Sequence, residues 1–441
     1  MDSGPHPPAP GGPATETSDP LKPLLLQRSF GALWWGQLIS ILGERLTYLA
    51  LVGMLAEHTG AFSDRSKSSI LLTLLANVML APVLLFSPFA GAWIDRWNLQ
   101  RTLVLSDLAR SILVVLIPVL YAATGHTGPM FALVFLMFTC NVLFLPAKSA
   151  ITPDLVPPRQ LMAANALLAG AGIAATAIGA LAGGWVVDHW GWQSALWING
   201  GTYLVSVVAL MVIEYRPHLH PHVEGPTMRR YLSEVGEGWS LVRRNPVVGV
   251  ALLALAAVWI GGGFMHVAGN QHIQRAASAP GMERVGILMA VLGLGAGLGT
   301  WWVNTHGRRV SRAWLLGGGL IIVGIGVMVF AVSTRFAVFA GVAFLTGTAI
   351  APAFMLCETL LQEGTEPRQR GRVFSSRDFL MRLAFLLSVT VAGWTAQTFG
   401  IVETILVCAV AVVGAGIATV AWGRRVPGLA GPEHPAPPTT D

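Results

Sequence analysis

An acidic residue in the middle of a long apolar segment is the feature of this sequence best suited to chemistry. Glu44 occupies that position, where a charge costs about 2.5–3.5 kcal/mol in lipid. On the same helix face, three or four residues apart, lie Gln37, Ile41 and Tyr48. Because an apolar medium disfavours the charged form of a carboxylate, Glu44 is predicted to load and release a proton. The alternative is a structural ion pair with Arg45 or with an arginine elsewhere.

A second set of residues is predicted to line a path for a substrate. Trp34 lies about one turn before the polar face of the first segment. In the seventh segment, Trp259, His266 and Asn270 share one helix face and form a polar-aromatic surface suited to an amphiphilic molecule. Packing between helices explains this surface equally well. Glu358, in the tenth segment, either lines the path or pairs with a neighbour.

Charged residues at two further positions predict a gate. Asp107 and Arg110 are three residues apart on the third segment and are expected near the inner surface. Arg377, Asp378 and Arg382 occupy the matching end of the eleventh segment. These two groups are predicted to form a charged latch between the halves of the molecule when the path is closed to the cytoplasm. A local helix-capping role for each group is the alternative.

The elements that position these residues follow from the composition. Apolar residues make up 54% of the 441 residues and charged residues 11%, against about 25% charged residues in a soluble domain. Lipid is therefore the expected solvent, and segments of about 20 apolar residues must cross it as helices. Twelve such spans are predicted: 30–56, 69–90, 102–123, 129–150, 161–187, 192–213, 247–274, 283–303, 312–333, 336–361, 373–398 and 401–422.

The second half of the chain repeats the first at an offset of 209 residues. The matched positions are Asp95 with Asn304, Gly184 with Gly393, Trp185 with Trp394, and Gly191 with Gly400. A duplicated membrane chain usually forms two bundles that face each other across a path. We therefore expect an all-α membrane protein of two pseudo-symmetric six-helix bundles. The expected division is a disordered tail at 1–25, bundles at 26–213 and 247–422, a cytoplasmic linker with an amphipathic helix at 214–246, and a disordered tail at 423–441.

The distribution of basic residues predicts the orientation. Lys and Arg concentrate in the tails, in the central linker and in the loops after the even-numbered spans, whereas the other side holds Arg65, Lys67, Arg275, Arg284 and Arg335. The positive-inside rule then places both termini in the cytoplasm of a multi-pass protein of the plasma (bacterial inner) membrane. The net charge of +6 accordingly reports topology and contact with membrane lipids, not binding of nucleic acid.

The loop between the second and third spans carries a motif. Gly91, Asp95, Arg96, Asn98 and Arg101 lie in Gly-Ala-Trp-Ile-Asp-Arg-Trp-Asn-Leu-Gln-Arg. This loop resembles the Gly-x-x-x-Asp-Arg-x-Gly-Arg-x-Arg motif of the major facilitator superfamily. Asn98 stands where the family has glycine, and it is expected to take a left-handed turn. Asp95 is expected to cap the next helix or to pair with a cation, and Arg96 and Arg101 to hold this gating loop inside.

Four further segments resemble the branch of that superfamily that contains the enterobactin and macrolide efflux exporters. They lie at 43–46, 106–110, 146–157 and 370–375. The resemblance implies the major facilitator fold and alternating access between the bundles. It also implies export of a small molecule by proton antiport. The chain departs from the drug–proton antiporters of the superfamily in its fifth span, where Gly179 is followed by alanine in place of the usual proline.

The sequence thus predicts a transporter and not an enzyme. The predicted partners are protons, membrane lipids and a small amphiphilic or apolar substrate such as a drug, macrolide or siderophore, carried by a monomer. No cofactor and no metal site is expected, and the three cysteines are expected to pack as small residues. Uptake or lysophospholipid transport by the same fold is one alternative. A membrane receptor or scaffold that transports nothing, and an intramembrane enzyme, are alternatives of other classes.

Overall fold

The computed structural model describes residues 24–94, 97–215, 245–276, 281–365 and 370–427, and the single residues 236 and 429. Long helices, with no strand in these ranges, account for the fold. They are α1 Arg28–His58, α2 Arg65–Ile94, α3 Leu99–Thr124, α4 Gly128–Leu155, the joined run Leu161–Met211, α7 Pro246–Phe264 with its extension to Ala276, α8 Met282–His306, α9 Arg312–Val332, α10 Phe336–Glu363, α11 Arg370–Thr398 and α12 Ile401–Gly423. The predicted fold class is confirmed.

One helical run contains two predicted spans. Leu161–Met211 turns at Gly191, whose φ of 81° and ψ of 157° are not helical. We call the part before Gly191 α5 and the part after it α6, which gives twelve spans. Gly400, which precedes α12 and follows Gly191 by 209 residues, also has a positive φ of 132°. Glycine adopts such angles without the clash that a Cβ would cause, so the repeated glycines make the same turn in both halves.

Helix α7 is irregular in its middle. After Pro246–Phe264 the chain forms a π-helical turn over Met265–Gly269 and then continues as an α-helix over Asn270–Ala276. Such turns are rare and occur often at functional sites, because they displace the side chains that follow. His266 lies within this turn, so its place in the molecule is set by an interruption that the sequence pattern did not predict.

Hydrogen bonds join the two halves towards one side of the bundle. We call the side that carries the last residues of α1, the turns at Gly191 and Gly400 and the end of the α7 extension the distal side. The opposite side, where α1 begins and α12 ends, is the terminal side. Asp188 Oδ1 and Oδ2 accept from the backbone N–H groups of Met282 and Glu283 at 2.7 and 2.8 Å. Arg275 Nε donates to the carbonyl oxygen of Phe62 at 2.7 Å. Gln397 Nε2 donates to Ser66 Oγ at 3.0 Å.

The contact between α5 and α8 loosens towards the terminal side. Three glycines lie along one face of α8. A Cβ placed on Gly286 would collide with the backbone of Ala180 on α5. One placed on Gly293 would lie 3.9 Å from the Cβ of Ala177, and one on Gly297 would have no atom within 4 Å. The halves are therefore packed together on the distal side and diverge towards the terminal side.

The motif loop differs from the expectation in one respect. Asn98 has extended backbone angles, φ −68° and ψ 116°, and is not left-handed. Its Oδ1 accepts from the backbone N–H of Arg101 at 2.9 Å and so caps α3. The predicted turn is wrong because asparagine before a helix is a strong N-cap, which needs extended angles. Asp95 and Arg96 lie outside the described residues, as do 1–23 of the first tail, 216–235 and 237–244 of the linker, and 428 and 430–441 of the second tail.

Candidate functional site

Three charged side chains meet in the middle of the N-terminal half, which comprises α1 to α6. Arg110 Nη1 on α3 donates to Glu44 Oε1 on α1 at 2.8 Å, and Nη2 donates to Asp107 Oδ1 one turn away. The side chains of Arg110 and Asp107 are 2% and 0% exposed, whereas that of Glu44 keeps 31% exposure. Two carboxylates therefore share one guanidinium, and only one of them is open to protons from outside. We call these three residues the charged cluster.

Neighbouring side chains fix the buried part of the charged cluster. Ser206 Oγ on α6 donates to Asp107 Oδ2 at 2.6 Å. Asn141 Oδ1 on α4 accepts from Arg110 Nη1 at 3.3 Å. The guanidinium carbon also lies 4.4 Å from the ring centre of Phe144 and 4.7 Å from that of Tyr203. These hydrogen bonds and cation–π contacts offset part of the desolvation cost of Arg110 and Asp107.

A cavity of about 220 Å³ opens beside the charged cluster. Its walls include Glu44 and Arg110, together with Tyr48, Met137 and Asn141. The cavity thus combines one accessible carboxylate with hydrogen-bonding and apolar surface. We call it the N-half cavity.

A second cavity of about 420 Å³ lies in the C-terminal half, which comprises α7 to α12. Aliphatic, aromatic, methionine and glycine residues make up most of its walls, and Leu288, Val323 and Phe385 are examples. No residue that lines it carries a carboxylate, an ammonium or a guanidinium group. We call it the C-half cavity. Tyr48 lines both cavities and so lies at their boundary.

Three predicted residues meet at that boundary. The hydroxyl of Tyr48 lies 3.1 Å from His266 Nδ1 on α7. Asn270 Nδ2 donates to the Tyr48 hydroxyl oxygen at 3.4 Å and to the carbonyl oxygen of His266 at 2.7 Å. A polar connection between the halves thus separates the N-half cavity from the C-half cavity.

Five residues predicted to face a path do not line either cavity: Trp34, Gln37, Ile41, Trp259 and Glu358. Trp34 Nε1 donates to the carbonyl oxygen of Leu167 on α5 at 3.0 Å, so its ring packs between helices. Gln37 and Ile41 are absent from both walls, and Gln37 is 5% exposed. Trp259 packs against Phe385, which lines the C-half cavity, with ring centres 6.0 Å apart.

The residues of the predicted latch lie in two separate places. Asp107 and Arg110 are deeper than expected, because they bind Glu44 in the middle of the bundle. On α11, Arg377 pairs with Glu358 of α10 and, at 2.7 Å, with Asp378. The alternative reading of Glu358, a pair with a neighbour, therefore matches the geometry. A latch between the halves stays a prediction for a conformation in which the terminal side closes.

The alternative expected for Glu44, an ion pair with an arginine elsewhere, matches the geometry, but sequence reasoning did not identify Arg110 as that arginine. Both lie near the middle of their spans, and this shared depth was the available signal. Tyr203, Asn141 and Ser206 were not predicted to hold the charged cluster at all. In the part of the chain that the structure describes, no group of three His, Cys, Asp or Glu residues is arranged to hold a metal ion.

Comparison with known proteins gives consistent matches. Residues 33–304 match the family model described as Major Facilitator Superfamily. An uncharacterized MFS-type transporter of Bacillus subtilis (strain 168), YfiS, is 25% identical over 421 residues, which cover 92% of this chain and 95% of the relative. Macrolide efflux protein A of Streptococcus pyogenes is 22% identical, over 84% of this chain and 90% of the relative.

Solved structures of transporters share the fold at low sequence identity. An auto-inhibited POT family peptide transporter aligns with a TM-score of 0.70 and 12% identity, over 93% of this chain and 99% of that chain. A bacterial homolog of the human lysosomal transporter Spinster, in an inward-facing and unoccupied conformation, aligns with a TM-score of 0.63 and 16% identity, over 89% and 94%. These likenesses bear on the fold alone.

Proposed function

This chain belongs to the Major Facilitator Superfamily of multi-pass membrane transporters, and we propose that it exports an amphiphilic or apolar small molecule by proton antiport. The observation that carries the proposal is the pair of adjoining cavities, one with an accessible carboxylate and one with apolar walls. The efflux function in the name of the streptococcal relative supports the direction of transport. Uptake by the same fold, including uptake of lysophospholipids, is the second candidate.

We assign the terminal side to the cytoplasm, because basic residues concentrate in the loops of that side. The described conformation, in which the halves diverge towards the terminal side, is then open inward. Export requires the halves to rock about the cavities until the distal contacts separate and the terminal ends meet. Residues 26–213 and 247–422 are the two rocking units in this proposal.

Glu44 is the proposed coupling group. When Glu44 is ionised, its carboxylate holds the guanidinium of Arg110, which also neutralises Asp107. A proton on Glu44 weakens that pair and leaves Asp107 as the carboxylate that pairs with Arg110, so proton binding changes the electrostatics of the N-half cavity. One proton gains about 2.3 kcal/mol per 100 mV of membrane potential. A hundredfold substrate gradient costs about 2.7 kcal/mol, so one proton nearly suffices at 100 mV.

The test is transport by Glu44→Gln in proteoliposomes that contain the full chain. A fluorescent amphiphilic dye is followed in two modes, transport driven by a proton gradient and counterflow without one. We expect the gradient-driven rate to fall at least tenfold while counterflow continues, because the amide retains the shape of the carboxyl group but carries no exchangeable charge. Wild-type gradient-driven transport in this variant would refute the coupling role.

Glu57→Gln is the matched control. Glu57 lies on the same helix, and its Oε2 accepts from Trp192 Nε1 at 2.8 Å within the N-terminal half. Its amide variant should transport as the wild type does. If neither protein shows counterflow with any dye in a panel of drugs, dyes and siderophores, the transport proposal gives way to a receptor or scaffold. Formation of a product without translocation would indicate an intramembrane enzyme.

A further inference from the structure

One guanidinium group in the N-half cavity has no counter-ion. Arg45 lines this cavity, but among the described residues neither a carboxylate nor a hydrogen-bond acceptor pairs with its side chain. Its Nε is buried, whereas Nη1 and Nη2 keep surface that a molecule in the cavity can reach. Arg45 lies in the middle of α1, where an unpaired charge is costly in a membrane protein. A partner from outside the protein would offset that cost.

The charges around Arg45 are already committed to each other. Glu44 Oε1 accepts from Arg110 Nη1 at 2.8 Å, and Asp107 binds the same guanidinium group. Lys148 on α4 adds a further cation, which interacts electrostatically with Glu44 and Arg110 and has no ion pair among the described residues. Three cations and two carboxylates thus lie in or next to the N-half cavity, which leaves an excess of one positive charge.

The same imbalance holds for the inner parts of all the described helices. Each carboxylate that lies more than one turn from a helix end has a basic partner, Arg110 in the N-terminal half or Arg377 in the C-terminal half. Arg45, Lys148 and Arg382 also lie more than one turn from a helix end, and they have no acidic partner in the part of the chain that the structure describes. The uncompensated charges there are therefore all positive, and an anion is the ligand that they attract.

We propose that the transported molecule carries an acid group, a carboxylate or a phosphate or sulfate ester, and that Nη1 and Nη2 of Arg45 bind it in the N-half cavity. A planar guanidinium group can donate to two oxygens of such a group at once. Met79, Met137 and Phe138 line the same cavity and offer contact to the apolar part next to the acid group. The inference rests on the proposed function and specifies its substrate class as an amphiphilic acid.

An acid is compatible with the proposed exchange for protons. The acid binds while Glu44 is ionised and occupies Arg110, so Arg45 is the cation in the cavity wall that remains free for it. The membrane potential, negative inside, drives a proton inward and an anion outward, so it favours both steps of the exchange. A cationic molecule would instead meet the unpaired guanidinium group of Arg45, and like charges repel strongly in a medium of low dielectric constant.

The test uses three photoprobes that share one benzophenone scaffold and differ in charge. 4-Benzoylbenzoate is an anion at neutral pH, benzophenone is neutral, and (4-benzoylbenzyl)trimethylammonium is a cation. Each probe is titrated onto the purified full chain in nanodiscs of phosphatidylcholine, a lipid without net charge. Saturable labelling of the peptides that line the N-half cavity gives the affinity, and thermal unfolding with and without the probe is the second readout.

In the wild type we expect the acid to bind about tenfold more tightly than the ammonium probe. Arg45→Gln should weaken binding of the acid about tenfold and leave the affinity for benzophenone unchanged, because only the acid uses the guanidinium group. Arg45→Lys keeps the charge and should retain part of the acid affinity. Saturating acid should raise the unfolding temperature of the wild type and not that of Arg45→Gln.

Arg28→Gln is the matched control. Arg28 lies on the same helix, but its side chain is 70% exposed and pairs with Glu214 at the terminal side. This variant loses the same charge and should bind all three probes as the wild type does. Equal affinity of the wild type and Arg45→Gln for the acid overturns the inference, and so does tighter binding of the ammonium probe by the wild type. Absence of saturable labelling by the acid in a wild-type protein that unfolds cooperatively overturns it as well.

Failure of this inference and failure of the proposed function give different results. Binding of the acid that depends on Arg45, without counterflow of any solute or with proton-driven uptake in place of export, would count against the proposed function alone. Counterflow of a dye that Arg45→Gln leaves unaltered, with no binding of the acid, would overturn the inference alone.

Discussion

The two halves of the molecule share a fold but differ in chemistry at the same depth. In the N-terminal half, helix α3 carries Asp107 and Arg110 in its middle, whereas helix α9, which takes its place in the other half, has only apolar residues and glycine after Arg312. Four polar residues of α4 and α6 have apolar or weakly polar residues 209 positions later. The pairs are Asn141 with Ile350, Asn199 with Cys408, Tyr203 with Val412, and Ser206 with Ala415.

This contrast indicates that the two halves kept the scaffold of the duplicated unit and diverged in the side chains at its centre. Both halves need the same glycine turns, Gly191 and Gly400, because both must reverse direction at the distal side. In the proposed antiport mechanism the charged cluster is needed once, because one titratable site suffices to couple a proton. The C-terminal half, without that cluster, leaves an apolar cavity that the N-terminal half cannot offer. Both halves meet at Tyr48, which lines both cavities.

The largest expected effect comes from removing the cation of the N-terminal half. Arg110→Leu leaves Asp107, whose side chain is 0% exposed, as a buried carboxylate without its partner. Breaking such a pair costs about 3–5 kcal/mol, so we expect a large fall in thermal unfolding temperature and in yield. The measurement is thermal unfolding of purified protein in detergent, followed by intrinsic tryptophan fluorescence.

Arg377→Leu is the corresponding change in the C-terminal half. Its partners are more exposed, with 28% for the side chain of Glu358 and 53% for that of Asp378, so water can replace the lost pair. We expect a loss below about 1 kcal/mol. Equal destabilisation by the two variants would contradict the claim that only the N-terminal half has a buried charged core.

A second prediction concerns the apolar cavity. Gly262→Leu adds a side chain to the wall of the C-half cavity, where a Cβ would lie 3.7 Å from the ring of Phe385. The added atoms compete with an occupant at a cost of about 1–3 kcal/mol, so substrate affinity should fall tenfold or more. Gradient-driven dye transport at several dye concentrations separates this rise in apparent KM from a loss of coupling.

The control for this change is Gly414→Leu on α12. Gly414 is exposed, and a Cβ placed there would have no atom within 4 Å. The same substitution in the same half should leave transport unaltered. If both leucines reduce affinity alike, the loss comes from glycine removal in general, and the C-half cavity has no special role.

A third prediction addresses the contact that holds the halves together on the distal side. Asp188 caps the first turn of α8 by accepting from two backbone N–H groups, which is favourable next to the positive end of a helix. Asp188→Asn removes the charge and one acceptor. We expect the open distal conformation to gain about 1 kcal/mol, a fivefold change in its population. Spin labels on the distal turns after α1 and α7 would report the change as a longer distance.

Glu57→Gln serves as the comparison for Asp188→Asn as well. Both carboxylates border the same distal pocket, but the hydrogen bond of Glu57 to Trp192 stays within the N-terminal half. This variant should leave the distance distribution unaltered. A shift of equal size in both variants would show that loss of any distal charge favours the open distal conformation. The cap that Asp188 forms on α8 would then have no specific role in holding the halves together.

The sequence predicted the positions of the helices well. It predicted poorly which neighbouring helix each side chain meets. Apolar length located every span within a few residues, and the repeated glycines located the turn before α6. Depth along a helix could be read in the same way, but Arg110 was expected near the inner surface, whereas it lies eleven residues after the start of α3, about 16 Å into it. Which neighbour covers a given face depends on the packing of distant helices, so the sequence allowed an ion pair of Glu44 with a distant arginine but did not identify Arg110. The π-helical turn that places His266 left no signal in the hydrophobic pattern.

Trp34 gives the smallest expected effect and tests whether a residue ten positions before Glu44 on α1 belongs to the site. Its indole N–H donates to the carbonyl oxygen of Leu167 at 3.0 Å, and its ring is outside both cavities. Trp34→Phe retains most of the packing and loses one partly buried hydrogen bond, which costs about 0.5 kcal/mol. Unfolding temperature should fall slightly, and dye affinity and gradient-driven transport should equal those of the wild type. A tenfold change in dye affinity with normal stability would extend the substrate path to the terminal part of α1. The charged cluster would then lie inside that path. This would contradict the proposal that the N-terminal half couples the proton while the C-half cavity binds the substrate.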